Sequence, residues 1–203
     1  MGRFPAVRAG AVHDTLDFLD VFEPGARQKV LSRVPAESRA VIEEMPRSSW
    51  VPVEHDHYTI DAMIDIFGVD RAVECWERSM VYLTERPLLR GFVSGMRRLF
   101  GNEGARLLSW FPKGWPLAYR DMCTPSVAKS PSGNPMIVFD DVAEQIKVHP
   151  NYFHSWHGAC RGFAVVAGVP GNVHFGVATD LGSAKAIFSV LASKAPSGTA
   201  PRR

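Results

Sequence analysis

The chain changes its hydrophobic period once, and the change falls on residues 107–123, LLSWFPKGWPLAYRDMC. Before this stretch apolar residues recur every three to four positions; after it they alternate. A chain patterned this way has to pack a helical N-terminal half against antiparallel strands. The stretch itself carries Trp110, Phe111, Trp115 and Tyr119 together with two prolines. It therefore reads as an aromatic junction between the two halves.

Residues 1–7 read as a loose lead-in. Leu16, Leu19 and Phe22 then recur at helical spacing, and Pro24-Gly25 stops that helix. Short helices follow over 26–34 and 35–44, with Pro35 suited to a first turn. The segment 50–53 is extended because Pro52 disfavours helix in the residue before it. Ile60, Met63, Ile64 and Phe67 fall at i, i+3, i+4 and i+7 on a helix that begins near Tyr58, with Asp56 as its capping group. Asp70 caps the next helix, whose face is Val73, Trp76, Met80 and Leu83. Pro87 opens another, with Leu89, Phe92, Met96 and Leu99 on one side. A shorter helix over 103–111 leads into the junction.

Beyond the junction, 125–129 and 136–140 read as strands joined by the turn-rich SPSGNP. Pro150 opens a final helix that buries Phe153, Trp156, Cys160, Phe163 and Ala167. Residues 173–178 and 185–191 form a second hairpin around DLGS. The expected fold is α+β: a helical N-terminal half packed on a four-stranded antiparallel sheet, with one helix inserted between two hairpins. A single domain would span 1–192, helical over about 8–113 and sheet over about 119–192, leaving 193–203 as a disordered tail by composition.

At 203 residues, with 46% hydrophobic content, the chain has material for a substantial core. A net charge of +2 gives no electrostatic case for nucleic acid or an anionic membrane. No run of about 18 apolar residues is present and the N-terminus lacks a signal-peptide core, so no membrane insertion and a cytoplasmic location are expected. Cys75, Cys123 and Cys160 are odd in number, far apart and without a CxxC, and read as reduced, mostly buried thiols.

Several segments carry a family resemblance: VRAGAVHDTLDFLDVFEPGARQKVLSRVPAESRAVIEEMPRSSWVPV, GVDRAVECWERS, LLRGFVSGMRRLFG, ARLLSWFPKGWPLAYRDM, HPNYFHSWHGACRGFAVVAGV and VHFGVA. Over residues 7–192 the chain resembles a family largely confined to myxobacteria and known only as a domain of unknown function. That family is similar to a wider superfamily of haem-based nitric-oxide/oxygen-binding domains, 4-vinyl-reductase-like ligand-binding domains and acyl-holding subunits of a vesicle-tethering complex. The resemblance implies a hydrophobic cavity between a helical subdomain and a four-stranded sheet, and no single chemistry. It also argues against haem. The axial histidine closes an LLxNLDxLH-like run in the haem domains, and LLSWFPKGW places Trp115 there. An indole cannot ligate iron.

No nucleophile elbow, phosphate loop or carboxylate pair is present, so no enzyme activity and no catalytic residues are expected. His55 and His57 flank Asp56, and His149, His154 and His157 cluster near the last helix. The buried stripe of that helix leaves His154 with Arg161 on its wetter side and His157 at its edge. His149, His154 and His157 read as surface or boundary residues, and neither a metal nor another cofactor is expected. What remains is the aromatic content: Trp76, Phe92, Trp110, Phe111, Trp115, Tyr119, Phe153, Trp156 and Phe163 are the candidates to line a cavity for an apolar or planar small molecule. The expected function is a sensory-type, non-enzymatic ligand-binding domain read by a partner protein. The alternative is a ligand-free interaction or scaffold module, with a homodimer the commonest assembly.

Overall fold

Eleven of the sixteen residues of helix α10 (Tyr152–Ala167) are buried, more than a helix lying on one neighbour can cover. The computed structural model, which describes residues 4–100, 104–169 and 171–190, places α10 at the centre, between a helix and a sheet. The tail expected over 193–203 lies outside the described residues.

The helix on one side is α5 (Val69–Leu83). Gly158 and Gly162, one turn apart on α10, face it. A Cβ at Gly158 would lie 2.6 Å from Trp76 Cβ, and one at Gly162 would lie 2.6 Å from Met80 Cβ. Both glycines are needed because the two backbones touch there. On the other side lie β4 (Thr124–Lys129), β5 (Pro135–Asp140), β6 (Gly171–Val177) and β7 (Ala184–Val190), all antiparallel in the order β4-β5-β7-β6. Ile137 pairs with Ala186 and Phe139 with Ala184, so small residues on β7 leave room for the Phe139 ring. The fold is α+β, and the five residues expected on the buried face of α10 are all buried.

The N-terminal half supplies α1 (Ala9–Phe22), α2 (Ala26–Arg33), α3 (Ala36–Glu44), α4 (Val53–Phe67), α6 (Pro87–Phe100) and α7 (Gly104–Leu108). Asp14 on α1 is almost fully buried and accepts from Arg47 Nη1 at 2.6 Å and Arg86 Nε at 3.3 Å. It thereby ties α1 to the loop after α3 and the loop before α6. The Asp14 hydrogen bond is the largest influence raising the Arg47 pKa.

Five local expectations change. Residues Ala6–Arg8 form strand β1 instead of a loose lead-in, pairing with β2 (Trp50–Pro52) and β3 (Tyr119–Arg120) in a second sheet of order β2-β1-β3. Strands of two or three residues are too short to show a period. Helix α4 starts at Val53, not near Tyr58, and no side chain caps it; Asp56 sits inside its first turn. Leu99, expected on the buried side of α6, is 69% exposed, and Leu89, Val93 and Met96 face inward. A single turn, α9 (Glu144–Lys147), precedes α10. The junction is itself a helix, α8 (Phe111–Ala118). Pro112 lies in its first turn, where no hydrogen bond is lost, and Pro116 forfeits one, which a two-turn helix held by buried aromatics can bear.

Candidate functional site

Three helices each direct an i, i+3, i+4, i+7 set of side chains at one space. From α4 these are Asp56, Thr59, Ile60 and Met63; from α5, Trp76, Ser79, Met80 and Leu83; from α8, Phe111, Gly114, Trp115 and Ala118. Helix α1 adds Ala11, Val12 and Thr15, α6 adds Leu89, Phe92 and Val93, and α10 adds Tyr152, Ser155 and Phe163. Val7 and Tyr119, adjacent in the small sheet, complete the lining. The space is a cavity of about 120 Å³.

The cavity lies among helices, with none of β4 to β7 in its wall. This corrects the expected position between helices and sheet. That interface is filled by rings: Trp156 lies stacked on Phe139 at 5.3 Å and edge-on to Trp115 at 5.5 Å, with Phe153 against it at 5.3 Å. Trp115 is the partition, with the aromatic layer on one side and the hollow on the other.

Of the nine aromatic candidates, Trp76, Phe92, Phe111, Trp115, Tyr119 and Phe163 line the cavity. Phe153 and Trp156 do not, because they belong to the filled layer. Trp110 does not either; it is half-buried, with Lys113 Nζ 3.7 Å above its ring.

One end of the cavity is polar. Tyr152 Oη donates to Asp56 Oδ2 at 2.8 Å across 96 positions of sequence. Burial lifts the Asp56 pKa from 3.8 to about 6, and the Tyr152 hydrogen bond only partly opposes it. Tyr119 and Tyr152 are both raised, first by burial and then by the Asp56 charge, so their hydroxyls stay protonated and able to donate. Ser79 and Ser155 donate to carbonyls of their own helices, Trp76 O at 3.0 Å and Tyr152 O at 2.8 Å. The Thr59 hydroxyl is buried and, among the described residues, has no hydrogen-bond partner.

Sequence reasoning missed Asp56, Thr59 and Tyr152. A signal was available: Asp56 and Thr59 stand on the same helical face as Ile60 and Met63, so two polar residues interrupt an apolar stripe. Tyr152 carried no such mark, since only the tertiary fold brings it to Asp56.

The remaining candidates lie outside the cavity. His55 Nδ1 meets Ser38 Oγ at 3.1 Å, while His157 Nε2 lies 3.3 Å from Val173 O and its ring stacks on Phe175. Burial is the main cause lowering the His157 pKa. His57 and His149 stack on each other at 3.7 Å. Burial pushes the Cys75 thiol up to about 12 and raises Cys160 as well, so both are inert thiols at neutral pH. Among the described residues no helix is long and apolar enough to cross a membrane. Comparison with protein-family models, curated proteins and solved structures finds no match.

Proposed function

We propose that this protein is a non-enzymatic small-molecule-binding domain whose ligand is about the size of one aromatic ring and carries one hydrogen-bond donor. The observation that supports it is an apolar cavity ending in a buried carboxyl group, two phenols and an unpartnered hydroxyl. A dry cavity of ~150 Å³ takes up benzene, so a volume of about 120 Å³ suits a molecule of that order. A tetrapyrrole or a long acyl chain needs several times more room. At neutral pH Asp56 is mostly ionised and accepts hydrogen bonds, which favours an amine, phenol or similar donor over a carboxylate. The ligand's polar atom also offers a partner to Thr59, whose burial without one costs roughly 1–3 kcal/mol.

Phe92 of α6 lies against Gly114 of α8 at the cavity wall. Occupancy that moves the Phe92 ring is passed to α6, and a partner protein reads that helix from its outer face, where Leu99 is exposed.

Thermal shift and isothermal titration with benzylamine, phenol, toluene and palmitate test the reading. Saturable binding of benzylamine or phenol, stronger than that of toluene, is expected, with no specific uptake of palmitate. Failure of every one-ring donor to bind at millimolar concentration, or equal binding of toluene, would overturn it.

A further inference from the structure

On α4 the residue after Asp56 is turned by roughly 100°, so His57 leaves the cavity and faces the turn before α10. We propose that His57, Asp61 and His149 form a binding site for a divalent first-row transition ion of zinc type, held by two imidazoles and one carboxylate.

One ring nitrogen from each histidine and one carboxylate oxygen of Asp61 lie within 4.8 Å of one another. His57 and Asp61 are one turn apart on α4, and His149 is brought to them by the turn after α9. Both α4 ligands are oriented by partners outside the trio. His57 Nδ1 lies 3.0 Å from Val53 O, so in the neutral ring Nδ1 donates and Nε2 carries the lone pair. Asn151 Nδ2 donates to Asp61 Oδ1 at 2.8 Å, leaving Oδ2 to coordinate. Hydrogen bonds of this kind are how metal sites fix their ligands. Two imidazoles and one carboxylate suit zinc and its first-row neighbours, whereas calcium and magnesium require oxygen shells. Three protein ligands leave a coordination position for water.

The rings stack at 3.7 Å with 19° between their planes, so lone pairs lying in those planes do not converge on one point. Ligand atoms around tetrahedral zinc lie about 3.4 Å apart, so binding requires His149 to swing out of the stack. Of the two rings His57 is buried and His149 half-buried in a turn, which leaves His149 the freer.

The experiment uses the untagged chain stripped with EDTA and titrated with Zn(II), and in parallel with Co(II). One equivalent of Zn(II) is expected to bind and to raise the unfolding midpoint. The Co(II) spectrum should lack a thiolate charge-transfer band, because the donors are nitrogen and oxygen. H149A and D61N should each weaken Zn(II) binding more than tenfold, and N151A by about tenfold through the lost orienting bond. H154A, a histidine of the same region outside the trio, should bind as the unaltered chain does. Circular dichroism of the metal-free variants checks their fold, and H149Q substitutes if H149A does not fold. Absence of a one-equivalent Zn(II) site would sink the proposal, as would binding undiminished in H149A or a thiolate band. In those cases the polar contacts serve only to tether α4 to the start of α10.

Discussion

Replacing Asp56 with Asn should stabilise the protein, and by an amount that depends on pH. Asp56 is 6% exposed and accepts one hydrogen bond, from Tyr152. Its pKa rises from 3.8 to about 6 on folding. A carboxyl group with a raised folded-state pKa contributes most below pH 3.8, where both states hold the proton. That contribution is lost as pH rises, and beyond pH 6 it is gone. At about 1.36 kcal/mol per pKa unit, the ionised group costs about 3 kcal/mol of stability at pH 7.5, against less than about 1 kcal/mol at pH 4. Asn keeps the shape, and its Oδ1 can accept from Tyr152, so D56N removes the charge and little else. Urea unfolding of EDTA-treated protein at pH steps from 4 to 8 measures the difference. The D56N advantage should grow from less than about 1 to about 3 kcal/mol and level off above pH 7. A pH-independent difference, or a variant less stable than its parent at pH 7.5, would show that Asp56 is not an isolated buried charge. The same substitution should weaken benzylamine binding, which separates a functional charge from a structural one.

Thr59→Val should raise stability by about 1 kcal/mol in chemical denaturation, because it deletes a buried hydroxyl that has no partner; a loss would mean that the hydroxyl is satisfied. Gly162→Ala forces α10 away from Met80 on α5 and should cost about 1–3 kcal/mol. An unchanged unfolding midpoint would refute the close approach. At Gly114 an added methyl would meet the edge of the Phe92 ring, Cε1 at 2.9 Å and Cζ at 3.1 Å, and that ring can turn. G114A should therefore change stability by less than about 1 kcal/mol while weakening ligand binding, because the ring is pushed toward the cavity. Tight binding with unaltered stability would remove Phe92 from the site.

The helices were legible wherever a local rule sets their ends. Pro24-Gly25 closes α1, Gly68 separates α4 from α5, and Pro87 starts α6, because glycine and proline act through the backbone of their own neighbourhood. The hairpins β4–β5 and β6–β7 were equally legible, since alternation and turn residues are local too. The burial of α10 was readable from its stripe, though not its complete enclosure, for which Gly158 and Gly162 must meet a helix some eighty residues earlier.

The site divides along the same line. Six of the nine aromatic candidates surround the cavity, but their sequence did not say which side of Trp115 would be hollow. That was decided by Phe139 and Trp156, whose stacked rings fill the space against the sheet and leave the space among the helices vacant. Nor could the sequence join Asp56 to Tyr152, or His57 and Asp61 to His149, because each pairing spans close to ninety positions or more. Periodicity records which face of an element is apolar. Only packing in three dimensions decides which faces meet, where their volumes fail to match, and which buried polar groups are left facing the gap.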